Sequence, residues 1–250
     1  VVVGEPTRCG VVRMHKGHAK RAFVFRGTSA HSGTPHMGRS AIEAMGPVLS
    51  QLAALRRRLA AEGGPNAACF PSAPHPVINL GRIEGGTAIN VVAESARLEI
   101  GVRPLPGQHA EDLFARVRRA VAAGLAEAAE ADPVDVAPIA VAEEDLGENP
   151  PLETPADASI VRRLMDLTGQ REDRGATFAS DGGHLARGLG MSPVLWGPGD
   201  MGVAHRPDEH LDPAELDAAR AMLMRLLADP AGSEPATAAA TAVTDGEPRP

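Results

Sequence analysis

Apolar positions recur along this chain in two rhythms, and the switches between them predict its elements. Val1, Val2 and Val3 form an unbroken apolar run before Gly4-Glu5-Pro6-Thr7, which reads as a buried parallel strand opening into a loop. From His18 to Gly27, aromatic and β-branched residues bounded by glycine predict a second strand. The period then changes. Across 39–61, Ile42, Met45, Leu49, Leu52 and Leu55 fall at helical spacing, with Arg56, Arg57 and Arg58 near the end that favours cations. A loop rich in Pro, Gly and Asn leads to a strand over 77–83, which stops at Gly85-Gly86, and to another over 90–103, which stops at Pro104. Helical spacing returns over 109–129 through Leu113, Val117, Ala120 and Leu125, and 134–141 is the last strand expected in this set.

The predicted order, strand-helix-strand-strand-helix-strand, is the ferredoxin-like split βαβ arrangement. Different material brackets it. In front stands the strand and loop of 1–16. Behind, after a linker at Gly147-Glu148-Asn149-Pro150-Pro151, come a helix near 158–168, a strand at 193–196 and a helix over 213–227. The expected organisation is an α/β domain in two parts, 1–16 and 146–228, interrupted by a βαββαβ insert over 17–145. The stretch 229–250, rich in Ala, Pro, Thr, Gly and Glu, is expected to be a disordered tail. With no methionine before Val1, the chain is expected to start in mid-fold.

Composition narrows the function. A formal net charge of -7 offers no footprint for nucleic acid or an anionic membrane, so a small molecule is the expected partner. Cys9 and Cys69 make no disulfide framework and sit in no metal-binding cysteine pattern, which points to a reducing cytoplasm. No apolar run approaches the roughly 20 residues that span a bilayer, and the first residues lack the layout of a signal peptide.

Five residues carry candidate chemistry. Glu5 follows an apolar strand, at the end where open α/β sheets place ligands, although a loop acid is often simply solvated. His205 also follows an apolar strand, in a glycine-rich loop that lets backbone approach a ligand; Asp208 and Glu209 can orient its ring or cap the helix beyond. His31 lies in a Gly/Ser/Thr/Pro loop, where a turn histidine is the ordinary alternative. Asn90 follows Gly85-Gly86-Thr87, again a turn setting. Arg103, ending a strand before Pro104-Leu105-Pro106-Gly107, can grip a carboxylate in bidentate fashion or stand free in water.

The strings around them are more specific. Val3-Gly4-Glu5-Pro6-Thr7, His15-Lys16-Gly17-His18, Gly27-Thr28-Ser29-Ala30-His31-Ser32, Gly81-Arg82-Ile83-Glu84-Gly85-Gly86, Asn90-Val91-Val92, Arg103-Pro104-Leu105-Pro106-Gly107, Gly197-Pro198-Gly199 and Ala204-His205-Arg206-Pro207-Asp208-Glu209 occur in that order. From the first residue to about Leu227, the series resembles the M20 metallopeptidase family that contains acetylornithine deacetylase and succinyl-diaminopimelate desuccinylase.

That resemblance implies a zinc-peptidase-like α/β domain interrupted by a ferredoxin-like lid that also makes a homodimer. It implies two zinc ions, with cobalt as a substitute, Glu5 binding one and His205 the other. His31 would reach the partner subunit's site and hold the scissile carbonyl, and Asn90 and Arg103 would contact the substrate carboxylate. The implied reaction is hydrolysis of an N-acyl amino acid. Acetylornithine is the first choice on the His15-Lys16-Gly17-His18 string, while Ala179-Ser180-Asp181-Gly182-Gly183 looks more like desuccinylases and carboxypeptidases. In the family the first histidine ligand, the bridging aspartate, the glutamate base and its acidic neighbour precede the Gly-Glu-Pro-Thr strand, so these 250 residues are expected to bind catalytic zinc poorly and to be inactive alone. Glu143-Glu144 does not match those positions. A non-catalytic dimerisation or binding module is the alternative from a different class.

Overall fold

The longest strands of the chain gather into one antiparallel sheet because their apolar faces all need the same cover. In this computed structural model, which describes residues 1–133 and 135–228, that sheet contains β3 (His18–Arg26), β4 (Val77–Gly85), β5 (Ser95–Arg103) and β6 (Ala140–Asn149). Its order, β4-β5-β3-β6, is that of the ferredoxin-like arrangement. In β5 the period of two is complete: Ala96, Leu98, Ile100 and Val102 are buried, while Arg97 and Glu99 point to the other face and pair with each other. Two helices, α1 (Met45–Glu62) and α2 (Ala110–Ala131), cover the buried face. Met45, Val48, Leu52, Leu55 and Leu59 line α1, and Leu113, Phe114, Val117, Ala120 and Val121 line α2, spaced at three and four residues. They share one core with Phe23 and Phe25 of β3. Each fully buried Leu or Phe there contributes about 1.5–3 kcal/mol relative to exposure.

The remaining elements form a smaller, second set of layers. β1 (Val2–Val3) lies parallel to β9 (Val194–Leu195), and β2 (Met14–His15) is flanked by β7 (Leu152–Glu153) and β8 (Gly175–Ala176). Helices α3 (Ser159–Thr168) and α5 (Pro213–Ala228) close over Val11, Val194 and Trp196, while α4 (Gly182–Leu189) lies against β7.

Several boundaries differ from the sequence reading. The last strand of the main sheet is Ala140–Asn149, later than the expected 134–141, and it runs through Gly147, Glu148 and Asn149, which read as linker. Its sequence shows no alternation because it is exposed along almost its whole length, and the backbone ladder to β3 holds it. Glu143 and Glu144 lie on this strand, where they pair with Arg21, Arg118 and Arg97. Residues 39–44 are not helical: Thr28 and Arg39 exchange two backbone hydrogen bonds, and α1 begins only at Met45, with Pro47 in its first turn where no N–H is needed. Residues 90–94 are loop. β1 is half-buried rather than buried, β9 being its one sheet partner among the described residues. The stretch 229–250, expected to be disordered, lies outside the described residues, as does Val134.

Candidate functional site

Parallel pairing of β1 with β9, Val2 opposite Val194 and Val3 opposite Leu195, sends two loops out from the same sheet end. One carries Glu5 and the other His205. The loops are stitched together at their bases. Cys9 N–H donates to Gly197 O at 2.8 Å, Arg8 N–H to Gly199 O at 2.8 Å, and the Trp196 indole N–H to Cys9 O at 2.8 Å. Arg8 also pairs with Asp200. The approach demands glycine at 197, because a Cβ there would stand 2.7 Å from the Glu5 carbonyl oxygen.

Glu5 is half-buried, and burial, followed by the charge of Asp181, raises its carboxyl above the usual range. His205 is exposed at a left-handed φ of 62°, and its backbone N–H donates to the Glu209 carboxylate at 2.9 Å. Glu209 therefore holds the backbone of the loop and not the imidazole. Among the described residues, no group of three or more His, Cys, Asp and Glu side chains is placed to hold a metal ion. A zinc site takes about four ligands, so the donors described in this chain do not fit one.

The main sheet separates the other three candidates. His31 and Asn90 meet at one end: His31 bridges to Val91, and Ser32 N–H donates to Asn90 O at 3.0 Å. Gly33 N–H donates to His31 Nδ1 at 3.0 Å, which leaves Nε2 as the nitrogen that carries the proton in the neutral ring. Arg103 closes the opposite end of β5. At about 3.3 Å per residue the two ends of that strand lie roughly 25 Å apart. Asn90 and Arg103 of one chain therefore cannot grip the same carboxylate.

Arg103 lines a hollow of about 300 Å³ together with Lys16, Ala73, Val77, Thr177, Phe178 and Met201. Met201 belongs to the loop that carries His205, so the foot of the sheet and that loop share one cavity. Sequence reading singled out Arg103 but not Lys16. Lys16 is buried, its ammonium donates to Ala73 O at 2.7 Å and His75 O at 2.8 Å, and it stands 5.6 Å from the Phe70 ring centre. Burial, then the neighbouring Arg103, lowers its pKa to about 8. Burial lowers Arg103 as well. The available signal was a lysine between a strand and a packed glycine: a Cβ at Gly17 would meet Pro151 and Pro104 within 3 Å, which shows how tightly this corner is closed.

Residues 13–129 match the family model of the M20 peptidase dimerisation domain. Over 227 residues the chain is 33% identical to an acetylornithine deacetylase of Myxococcus xanthus, covering 91% of this chain and 56% of that one. The acetylornithine deacetylase of Proteus mirabilis is 31% identical over 229 residues, 90% of this chain and 55% of the other. Among solved structures, a tripeptidase from Staphylococcus aureus superposes with a TM-score of 0.62 at 19% identity, over 86% of this chain and 52% of that one. The chain thus spans about half the length of the curated relatives it matches.

Proposed function

We propose that this chain forms the lid-bearing part of an amide hydrolase, because residues 13–129 match the M20 peptidase dimerisation domain model and the chain is similar to acetylornithine deacetylases over about 90% of its length. Its proposed substrate is an N-acyl amino acid, N-acetylornithine first, and its proposed setting is the cytoplasm. Among the described residues no helix is long and apolar enough to cross a membrane. The proposed domain division is an insert over 17–145 between catalytic parts at 1–16 and 146–228.

The observation that carries this reading is the shared cavity of Arg103 and Met201, which sets a guanidinium beside the loop of His205. Arg103 takes the substrate carboxylate, and its guanidinium fork can hold both oxygens. His31 and Asn90, some 25 Å away along the same sheet, serve the site of a second subunit. There the Nε2–H of His31 donates to the carbonyl oxygen of the scissile amide. Exposed Ile89 and Val91, next to Asn90 in the chain and with Val91 bridged to His31, supply an apolar contact for that subunit.

Glu5 and His205 are the proposed donors of this chain toward two different zinc ions, for which cobalt can substitute. Since the described donors do not complete either site, turnover requires ligands beyond them. That same lack of a three-donor cluster favours one second reading, a dimerisation or binding module without catalysis. A chimera tests the choice: residues 1–227 of this chain replace the matching segment of the Myxococcus xanthus relative. The chimera is expected to hydrolyse N-acetylornithine, and the 250-residue chain with added zinc is expected to be inactive. A soluble, dimeric chimera without turnover would defeat the hydrolase proposal.

A further inference from the structure

Between α1 and α2 lies a groove of about 280 Å³ that no sheet residue lines. Leu55, Ala120 and Ala123 form its floor, and three guanidinium groups stand around it, Arg58 from α1 and Arg116 and Arg119 from α2. Arg116 and Arg119 are three residues apart and share one face of their helix, where like charges repel. In a chain of net charge -7 this gathering of cations runs against the average. The dipole of α1 favours a cation near its C-terminal end, which accounts for Arg58 but not for the pair on α2.

Most of the donors around the groove are unused. Arg116 gives one N–H from each terminal nitrogen to Glu62, at 2.7 and 2.5 Å, and keeps three of its five. The side chains of Arg58 and Arg119 make no hydrogen bond or ion pair among the described residues. Glu62 feels the charge of Arg58, but its carboxylate is already held by Arg116. No acidic side chain lines the groove, and no aromatic ring is there to stack on a base.

We propose that this groove binds an oligophosphate, a short chain of linked phosphates that is either free or carried by a nucleotide. A guanidinium fork matches phosphate oxygens in pairs. Arg58 and Arg119 offer five N–H donors each, and with the three left on Arg116 they far outnumber the oxygens of a single phosphate. A chain of phosphates bridging α1 to α2 relieves the repulsion among the three cations and ties the two helices together. The site is separate from Glu5, His205 and Arg103 and does not depend on the hydrolase reading.

Calorimetry and thermal unfolding of the whole 250-residue chain, in magnesium-free buffer at fixed ionic strength, test this with sodium triphosphate, ATP and inorganic phosphate. Triphosphate is expected to bind at least about tenfold tighter than inorganic phosphate and to raise the unfolding midpoint. ATP should match triphosphate within a few-fold, which names the phosphate chain as what is read. Arg58→Gln combined with Arg119→Gln is expected to weaken triphosphate binding at least about tenfold. Arg56→Gln combined with Arg57→Gln removes the same charge from a neighbouring hollow and should cost no more than about threefold. Arg58→Lys combined with Arg119→Lys keeps the charge, guards against a folding defect, and should still bind triphosphate, more weakly. Equal losses in the two glutamine pairs would reduce the groove to a diffuse surface field and overturn the proposal. So would inorganic phosphate binding as tightly as triphosphate, ATP binding where triphosphate does not, or no binding of triphosphate at all.

Discussion

A histidine with no exposed surface has to choose one charge state, and His15 chooses neutrality. Its Nδ1 faces Lys16 O at 2.9 Å, and its Nε2 is buried without a hydrogen-bond partner. Burial is the first cause of its lowered pKa. The unfolded ring titrates near 6.5, so at higher pH both states are neutral and the fold keeps its full stability. As pH falls below about 6.5 the unfolded chain takes up a proton that the folded one resists, and stability drops by up to about 1.4 kcal/mol per pH unit. Urea midpoints between pH 7.5 and 5 are expected to fall more steeply for the natural chain than for His15→Phe. Parallel slopes would remove His15 as the cause. At the same scale, His31, Asn90 and Arg103 stood out in the sequence through their flanking turn residues, whereas Lys16 was marked only by the glycine that follows it. Its burial follows from Arg103, Ala73 and His75 meeting it from remote positions in the chain.

Among the elements, the two helices are held by a feature that helix propensity opposes. Gly124 lies in the middle of α2, where alanine would ordinarily be preferred by about 1 kcal/mol. A Cβ there would stand 2.5 Å from Val48 Cα and 2.6 Å from Val48 N in α1, so the helices cross at this point backbone to backbone. Gly124→Ala is expected to destabilise the protein by about 1–3 kcal/mol, read as a lower denaturation midpoint at unchanged slope. A stabilised variant would show that the crossing relaxes freely. Amphipathic elements such as α2 and β5 were legible because burial falls on one face and leaves its period in the sequence. β6 was misplaced because it is an edge strand with little to bury, held by β3 through backbone bonds that carry no side-chain signature.

For the whole molecule, the decisive distance is the length of β5. Since Asn90 and Arg103 lie at opposite ends of it, a single subunit cannot supply both to one ligand. In the chimera, Asn90→Ala and Arg103→Met are each expected to lose at least 100-fold in kcat/KM. Unfolded and refolded together in equal amounts, they should recover about a quarter of the parent activity, because half of the dimers are mixed and each mixed dimer holds one intact site. Recovery absent from a mixture proven by sedimentation to contain mixed dimers would place both residues in the site of their own subunit.

The alternation of elements, the two-layer α/β insert and the strings that resemble a deacylase can be read along the chain, because periodicity and turn chemistry are local properties of neighbouring residues. Folding adds that Glu5 and His205 leave the same sheet end, that Asn90 and Arg103 stand apart, and that Lys16 lies beside Arg103. Those relations depend on which strands pair and on how far apart their ends lie. Distances of that kind are set by packing between remote segments, and no window along the chain contains them.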